Sequence, residues 1–306
     1  MKIVALAGGV GGAKLADGLA QIIKPQDLTI VVNTGDDFKY YGLAISPDLD
    51  TVCYTLAGIS NLATGWGLSG DTFNILETTR LLGGPSWFHL GDQDIATQLE
   101  RTRLLINGQT LSQITNDFCK VWGVLCSVIP MTDQAVRTIV DTFEFGELEF
   151  QEYFVHHQCK PKIKGIRFDG IATAIPAPGL LDAIEQAHAI IVCPSNPWVS
   201  IDPILAVRGI RSAITQKCTV AVSPIINGRA IKGPAAKMFL EMGIRPSASA
   251  VAHHYSKFLS GFVMDTCDSS LTSELTIPFV TTNTLMNNKD DRQRLAKDVL
   301  NLIEHL

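Results

Sequence analysis

The chain has 306 residues, of which 46% are hydrophobic and 18% charged, and its formal net charge is −5. This length allows a large core with one domain or two lobes, and the composition is ordinary for a soluble α/β protein. The negative charge, without a run of Lys and Arg, argues against a nucleic-acid partner. No apolar stretch approaches the roughly 20 residues of a membrane span, so we expect no membrane partner either.

The N-terminus and the cysteines predict the cellular setting. The N-terminus lacks the charged start, apolar core and cleavage site of a signal peptide. The seven cysteines are scattered and include no Cys-x-x-Cys pair, so neither zinc nor a disulfide framework is supported. Cys193 and Cys218 lie in apolar runs that are typical of buried thiols. We therefore expect a cytoplasmic protein.

The first predicted elements are a strand at residues 2–6, a glycine-rich loop at 7–14 and a helix at 15–23. The four glycines of the loop allow the backbone to approach a ligand closely. The helix N-terminus that follows offers unpaired N–H groups and a positive dipole end to a phosphate. We therefore expect a phosphorylated or nucleotide ligand, and the alternative is a tight turn that binds nothing.

The spelling of this loop departs from both standard nucleotide-binding motifs. A dinucleotide fingerprint needs glycine or alanine where this chain has Lys14. A P-loop needs Gly-Lys-Ser/Thr, whereas this chain has Ala13-Lys14-Leu15 and lacks the hydroxyl that holds magnesium. The sequence therefore favours an anion-binding loop that is neither a dinucleotide-binding fingerprint nor a P-loop.

Acidic residues follow the second predicted strand, at residues 28–32. Asp36 and Asp37 come directly after it, and Asp48 and Asp50 lie a little further on. Ligands of open α/β sheets bind beyond the carboxyl ends of the strands, and Mg²⁺ prefers one or two carboxylates plus phosphate oxygens. We expect Asp48 and Asp50 to act in the site, the alternative being turn and helix-cap roles. For Asp36 and Asp37 the two interpretations are equally open.

The middle of the chain has a different pattern. Helices are predicted at residues 71–82, 94–105 and 111–122, followed by short strands that include 137–141 and 163–168. We interpret residues 66–169 as a mixed helical and β insertion that covers the acceptor side of the site. Residues 1–65 and 170–306 then form the nucleotide-binding core.

Within this middle segment, the sequence His89-Leu90-Gly91-Asp92-Gln93-Asp94 repeats the Asp-x-Asp spacing just before a helix. A role toward substrate and a helix cap at Asp94 both remain open. Two pairs of adjacent histidines also stand out, at 156–157 and at 253–254. Neighbouring side chains on a helix or strand point in different directions, so we expect neither pair to share a metal ion.

Strands and helices alternate again toward the C-terminus. The predicted strands are residues 189–193, 219–222 and 261–264, and the predicted helices are 201–213, 235–242, 248–258 and 289–303. This alternation predicts an α/β fold with a Rossmann-like, mostly parallel sheet and helices on both faces.

Two of these strands are followed by similar loops, Cys193-Pro194-Ser195-Asn196-Pro197 and Ser223-Pro224-Ile225-Ile226-Asn227. Their serine and asparagine groups suit a base, ribose or phosphate, and proline stiffens such loops. The alternative is that proline merely ends each strand. A further segment, Gly233-Pro234-Ala235-Ala236-Lys237, places a lysine one turn into a helix and favours the nucleotide site.

Taken together, these segments resemble the 2-phospho-L-lactate transferases of deazaflavin coenzyme (coenzyme 420) biosynthesis. The matching segments run in order along most of the chain: AGGVGGAKL, VVNTGDD, SPDLDTV, WGLSGDTF, HLGDQDIAT, PSNPWVSI and AVSPIINGRAIKGPAAK. The SPDLDT segment and the paired proline loops carry the most specific part of the resemblance.

The resemblance implies a magnesium-dependent transfer. A guanosine diphosphate carrying a lactyl group, or an enolpyruvyl group in related bacterial enzymes, donates its phospholactyl part to a hydroxyl of the deazaflavin Fo. GMP is released. Such chemistry depends on positioning and on neutralising charge rather than on a covalent protein intermediate. A homodimer is the default expectation for such enzymes.

The resemblance also implies roles for particular residues. Asp48 and Asp50 would bind Mg²⁺, and Asp50 would also orient or deprotonate the attacking hydroxyl. The deazaflavin would contact Asp50, His89 and Asp92. The nucleotide and its phosphates would contact nine residues: Gly9, Gly11, Gly12, Lys14, Ser195, Asn196, Ser223, Pro224 and Lys237.

Two other classes of function are considered beside the transferase. A related bacterial family, the gluconeogenesis-factor family, shares the glycine loop and binds nucleotide-sugars as a non-catalytic regulator. The presence of both SPDLD and HLGDQD favours the enzyme, because a regulator has less use for paired metal-binding carboxylates. An NAD-dependent oxidoreductase is disfavoured by the broken fingerprint, although Asp36 lies at about the right distance.

Overall fold

A computed structural model describes all 306 residues of the chain. Its fourteen strands are β1 (Ile3–Ala7), β2 (Leu28–Val32), β3 (Phe38–Tyr40), β4 (Leu43–Ile45), β5 (Ser127–Pro130), β6 (Arg137–Thr142), β7 (Gly146–Glu149), β8 (Ile163–Asp169), β9 (Ala189–Val192), β10 (Cys218–Val222), β11 (Ile225–Ile226), β12 (Arg229–Ala230), β13 (Gly261–Asp265) and β14 (Phe279–Thr282). Its eleven α-helices are α1 (Gly9–Ala20), α2 (Pro47–Leu56), α3 (Asn74–Leu81), α4 (Asp92–Ile106), α5 (Leu111–Val121), α6 (Leu180–Gln186), α7 (Asp202–Ala206), α8 (Ile210–Ile214), α9 (Ala235–Glu241), α10 (Ala248–His254) and α11 (Lys289–Glu304).

Seven parallel strands form the central sheet, in the order β14-β13-β10-β9-β1-β2-β5. Strand β1 pairs with β2 on one side and with β9 on the other. The chain therefore builds the sheet first toward β5 and then, from β9, toward β14. Such a reversal leaves a crevice outside the carboxyl ends of the two strands that flank it. The predicted α/β fold with a Rossmann-like sheet is confirmed, and its crevice lies beyond Ala7 and Val192.

Helices cover both faces of this sheet because its strands are apolar on both sides. In β1, Ile3, Ala5 and Ala7 pack into one hydrophobic cluster with α1, α2, α5 and α11. The alternating residues Val4 and Leu6 pack into a second cluster with α6 to α10. The buried core therefore fixes β1 and the segments that leave its carboxyl end.

The predicted insertion, residues 66–169, has the mixed content expected of it. It contains α3, α4 and α5 and a separate antiparallel sheet of order β7-β6-β8. It also contains β5, which pairs with β2 as the edge strand of the central sheet. The central sheet therefore extends into this segment, and the limits of the insertion stay a prediction.

Some local predictions differ from the structure. Helix α1 begins at Gly9 rather than near residue 14, so the glycines form its first turn. The predicted helix at 201–213 is divided into α7 and α8, because Gly209 adopts a left-handed φ of +87° that interrupts a helix. Strand β14 of the central sheet and the short strands β3, β4, β11 and β12 were not predicted. No helix combines the length and the apolar character needed to cross a membrane.

Candidate active site

The glycine-rich segment forms the first turn of α1, directly after β1. Gly9 has a φ of +62°, in the left-handed region that favours glycine. A Cβ on Gly11 would lie 2.3 Å from the backbone oxygen of Pro194, and a Cβ on Gly12 would lie 2.4 Å from Oγ of Ser195. Both glycines are required because the loop after β9 packs directly against this turn.

Ser195 joins the two sides of the crevice. Its buried hydroxyl donates to the carbonyl oxygen of Gly8 at 2.8 Å, and its Oγ accepts from the Gly8 N–H at 3.1 Å. The structure therefore brings Ser195 together with the predicted phosphate-binding glycines. The N-terminus of the twelve-residue helix α1 lies here, and its positive dipole end favours anions.

Five carboxylates gather close to this helix N-terminus, and we call them the acidic cluster. Asp48 and Asp50 lie in the first turn of α2, Asp94 lies in the first turn of α4, and Asp36 and Asp37 follow β2. All of them are buried except Asp37, which is partly buried. The predicted site residues Asp48 and Asp50 therefore lie together at the carboxyl end of the sheet.

Asp48 contacts the glycine segment directly. A Cβ on Gly8 would lie 2.4 Å from its Oδ2, and a Cβ on Gly9 would lie 3.3 Å from its Oδ1. Nδ2 of Asn33 donates to Asp48 at 2.9 Å and to Asp36 at 3.1 Å, so one amide nitrogen joins two carboxylates. Burial raises the pKa of Asp48 to about 6, although the hydrogen bond from Asn33 opposes that rise.

Asp50 is held by side chains of α4. Arg101 donates to both of its oxygens, through Nη2 to Oδ1 and through Nη1 to Oδ2 at 3.1 Å. Gln98 donates to Oδ2 at 2.8 Å. Asp94, Gln98 and Arg101 share one face of α4 because they recur at the spacing i, i+4, i+7. Burial, followed by the charge of Asp50, raises the pKa of Asp94 to about 7.

The acidic cluster contains more carboxyl groups than its own cation can neutralise when all of them are ionised. Arg101 is the cation in contact with it, and that contact is with Asp50. Burial, followed by the charge of Asp48, raises the pKa of Asp36 well above its usual range, and burial does the same for Asp37. Buried carboxylates of this kind fit a divalent cation such as Mg²⁺, which prefers oxygen ligands and offsets their charge.

Asp37 and Asp48 offer the oxygens that best fit such an ion. Oδ1 of Asp37 is inaccessible and has no hydrogen-bond partner, while its Oδ2 accepts from the Ser46 hydroxyl at 2.7 Å. Both oxygens of Asp50, in contrast, are already bound by Arg101 and Gln98. The binding of Mg²⁺ by Asp48 and Asp50 stays a prediction, and the geometry favours Asp48 over Asp50.

An aromatic cluster continues from the acidic one. Phe38 directly follows Asp37 at the start of the β3–β4 hairpin and packs with Tyr40. The Phe38 ring is stacked with that of Trp87 at 6.0 Å and meets that of Phe88 edge-on at 4.9 Å. Trp87 and Phe88 are half-buried. Phe38 and Tyr40 of the hairpin are buried, so the accessible part of this aromatic cluster is formed by Trp87 and Phe88.

Asp92, predicted to contact the acceptor, caps a helix in this structure. Its oxygens accept from the N–H groups of Asn74 and Ile75 at the start of α3 and from the Thr72 hydroxyl at 2.6 Å. The hydrogen bond from Thr72 is the main cause that lowers the pKa of Asp92 to about 2. His89 is exposed in the preceding loop. The acceptor contacts of both residues stay predictions.

The proline loops lie at the same edge of the sheet as the glycine segment, after β9 and β10. Oδ1 of Asn196 accepts from the N–H of Trp198 at 3.0 Å. The Ser223 hydroxyl is buried and bonds both backbone groups of Ile225, and the neighbouring Pro224 is half-buried. These contacts shape the loops themselves, and guanosine binding by these residues stays a prediction.

The two predicted lysines are engaged within the protein and are not brought together. Nζ of Lys14 donates to the carbonyl oxygen of Met286 at 2.8 Å. Burial, followed by the charge of Arg292, lowers the pKa of Lys14. Nζ of Lys237 pairs with Glu241 at 2.7 Å. Phosphate binding by either lysine stays a prediction.

The contribution of α4 to the site was not predicted from the sequence. Gln98 and Arg101 were not singled out, although the spacing of Asp94, Gln98 and Arg101 marks a polar stripe on one helix face. Gln151, which donates to Asp36 at 2.8 Å, was not predicted either. No sequence pattern signals that last contact, because it joins residues far apart in the chain.

The fold and this arrangement define a doubly wound α/β protein with a carboxylate-lined crevice beside a helix N-terminus. The model of the family described as 2-phospho-L-lactate transferase CofD matches residues 3–303. The chain belongs to this family.

Similar proteins come from bacteria and archaea. The phosphoenolpyruvate transferase of Streptomyces griseus is 40% identical over 316 residues, covering 100% of this chain and 99% of that protein. The 2-phospho-L-lactate transferase of Methanopyrus kandleri is 37% identical over 311 residues, with the same coverage. A solved structure of a UPF0052 family protein from Bacillus halodurans aligns with a TM-score of 0.64 and 15% identity, over 98% of each chain. The last similarity concerns the fold alone.

Proposed function

We propose that this chain transfers a phosphorylated three-carbon acid from a guanosine diphosphate donor to a hydroxyl of the deazaflavin Fo, in a Mg²⁺-dependent reaction. The observation that carries the proposal is the acidic cluster beside the N-terminus of α1. A diphosphate bound at that helix end would bring its charged oxygens next to carboxylates that need a cation.

Family membership and the names of the relatives support the transfer. The Streptomyces relatives are named phosphoenolpyruvate transferase and those of methanogens 2-phospho-L-lactate transferase, at similar identities of 40% and 37%. We therefore propose lactate or enolpyruvate as the acid, and the assay with each donor decides between them.

The aromatic cluster supports a flat aromatic acceptor. A deazaflavin ring is large and planar, and such rings gain from offset or edge-on contact with aromatic side chains. Trp87 and Phe88 pack against the β3–β4 hairpin and are partly accessible. The Trp87 ring is already stacked with those of Phe38 and His156, so an acceptor would meet the part of it that remains accessible. The rings of Trp87 and Phe88 both contact Phe38, which directly follows Asp37 of the acidic cluster, so we propose that the acceptor lies near the carboxylates.

In the proposed reaction, the acceptor hydroxyl attacks the phosphorus that carries the three-carbon acid. The bond from this phosphorus to the bridging oxygen breaks, and that oxygen leaves with GMP. A bound Mg²⁺ would supply charge neutralisation at the phosphate oxygens. Asp50 would orient the hydroxyl, since Arg101 and Gln98 fix its position. The hydroxyl proton would pass to a carboxylate of the acidic cluster.

The test mixes purified protein with Fo, Mg²⁺ and either the lactyl or the enolpyruvyl guanosine diphosphate donor. We expect GMP to be released in equal amount to the phosphorylated deazaflavin product. Asp117, an exposed residue of α5, provides the control variant Asp117→Asn, which should keep full activity.

Binding of the donor without GMP release, for both acids, would contradict the transferase. That result would instead favour the non-catalytic nucleotide-sugar-binding regulator. Donor binding measured by calorimetry in the same preparation separates this outcome from an inactive, misfolded sample.

A further inference from the structure

A second group of potential metal ligands lies outside the acidic cluster, on the π-helical turn Glu152–His156. A carboxylate oxygen of Glu152 and ring nitrogens of His156 and His157 all lie within 4.8 Å of one another. None of these three side chains is engaged in a hydrogen bond or ion pair with another residue. We call them the Glu-His-His cluster.

The π-turn is the reason that these side chains converge. The N–H of His157 donates to the carbonyl oxygen of Glu152 at 2.9 Å, a bond that spans five residues instead of the four of an α-helix. The wider turn places residues i, i+4 and i+5 around one position. Adjacent side chains point in different directions on a regular helix or strand. His156 and His157 lie at the end of a π-turn instead, so that expectation does not apply to them.

Aromatic neighbours hold both imidazole rings. The ring of His156 is stacked on that of Trp87, with centroids 5.2 Å apart and an interplanar angle of 16°. The ring of His157 packs against Phe145 at 4.5 Å. Rings that are already restrained lose less conformational freedom when they bind a metal ion.

We propose that the Glu-His-His cluster binds one divalent transition-metal ion, such as Zn²⁺. Two imidazoles and a carboxylate are the donor set that borderline ions accept, whereas Mg²⁺ prefers oxygen ligands alone. Zn²⁺ bonds of about 2.0–2.1 Å place tetrahedral ligands roughly 3.3 Å apart. The ligand atoms, which lie within 4.8 Å of one another, must therefore move closer together. A rotation of the exposed His156 ring within its plane of stacking on Trp87 would allow this approach. A Zn²⁺ ion held by three protein ligands would keep a fourth position for water or an anionic oxygen.

The site is distinct from the acidic cluster but is connected to it in space through Gln151. Gln151, which precedes Glu152, donates to Asp36 of that cluster. The proposal does not depend on the proposed transferase function, because it concerns metal binding alone.

The test is calorimetric titration of the full chain with Zn²⁺ at neutral pH, with Mg²⁺ in excess to occupy oxygen-only sites. We expect one equivalent to bind, and Glu152→Gln, His156→Ala and His157→Ala each to weaken binding by about tenfold or more, since each removes one of three ligands. The matched control is His253→Ala, which alters the adjacent histidine pair of the regular helix α10 and should leave binding unchanged.

A second readout uses the stacked indole. Cu²⁺ bound beside His156 should quench the fluorescence of Trp87, and Trp87→Phe should remove that part of the quenching. The proposal is overturned if Zn²⁺ does not bind, or if the three cluster variants bind it as tightly as the wild type. Circular dichroism of each variant shows whether a loss of binding reflects loss of the fold.

Discussion

Two segments of the chain carry the pattern Asp-x-Asp in the first turn of a helix, and they use it differently. In α2, Asp48 and Asp50 are both buried and both belong to the acidic cluster. In α4, Asp94 is buried in the same cluster, whereas Asp92 caps the neighbouring helix α3. Of the four carboxylates in these two Asp-x-Asp pairs, three therefore belong to the acidic cluster and one, Asp92, caps a helix.

The difference follows from what lies opposite each helix N-terminus. Helix α2 begins beside the glycine segment, so Asp48 contacts the backbone of Gly8 and Gly9. Helix α4 begins beside α3, and Asp71 in turn caps α4 by accepting from the N–H groups of Gln93 and Asp94. An acidic first turn is favourable in both settings, because the helix dipole stabilises it. The tertiary neighbours decide whether it also faces a ligand.

The largest expected effect comes from removing the cation of the acidic cluster. Arg101→Met leaves Asp50 buried and unpaired, so we expect the unfolding free energy to fall by about 3–5 kcal/mol. Arg103→Met on the same helix is the control. Its pair with Glu100 is exposed, and its loss should cost less than about 1 kcal/mol. Denaturant unfolding of both variants measures the difference, and equal effects would contradict the buried pairing.

A second effect, of a size comparable to the first, concerns the pH dependence of stability. In the folded protein the pKa of Asp94 is raised to about 7 from an ordinary value of 3.8, so between these values the folded state holds more protons. The unfolding free energy should therefore fall as the pH rises from about 4 to 7, by about 1.4 kcal/mol for each unit of pKa difference. Asp36, Asp37 and Asp48 act in the same direction.

Thermal unfolding in a chelating buffer, followed across this pH range, measures that dependence. Asp94→Asn should flatten the decline, because its amide does not ionise, while Asp92→Asn should retain the slope of the wild type. A slope unchanged by Asp94→Asn would show that this carboxyl titrates normally.

The smallest effect is expected at the cap of α3. Asp92→Ala removes the acceptor of the Asn74 and Ile75 N–H groups and should lower the unfolding free energy by about 1 kcal/mol. Asp71→Ala, which uncaps α4, should cost a similar amount. If Asp92→Ala leaves stability unchanged but raises the KM for the deazaflavin, Asp92 contacts the acceptor instead.

The sequence predicted the parts of the fold that depend on local periodicity. The alternation of strands and helices gave the parallel sheet, and the rule that ligands lie beyond the strand ends brought the glycine segment and Asp48 to one edge. Strand β14 escaped prediction because it is short and lies at the edge of the sheet. The start of α1 at Gly9 was not predicted because glycine has a low helix propensity.

The partners in the site were harder to predict than its position. That Asp50 pairs with Arg101 depends on how α4 packs against α2, which no local pattern specifies. The different roles of Asp92 and Asp94 likewise depend on the position of α3. This helix contains no buried residue, and Asp92 caps its N-terminus. Of these contacts, only those of Asp94, Gln98 and Arg101 correspond to a recognisable sequence pattern, which is their spacing on one face of α4.

The most direct test of the central claim compares Asp48→Asn with Asp92→Asn in the rate of GMP release, at saturating donor and acceptor and increasing Mg²⁺. Both changes remove one charge from an Asp-x-Asp pair. We expect Asp48→Asn to lower kcat by about a hundredfold or more, and to raise the Mg²⁺ concentration needed for half-maximal rate. Asp92→Asn should keep the Mg²⁺ dependence of the wild type. An Asp48→Asn variant with unchanged rate and unchanged Mg²⁺ dependence would contradict the acidic cluster as the site of transfer.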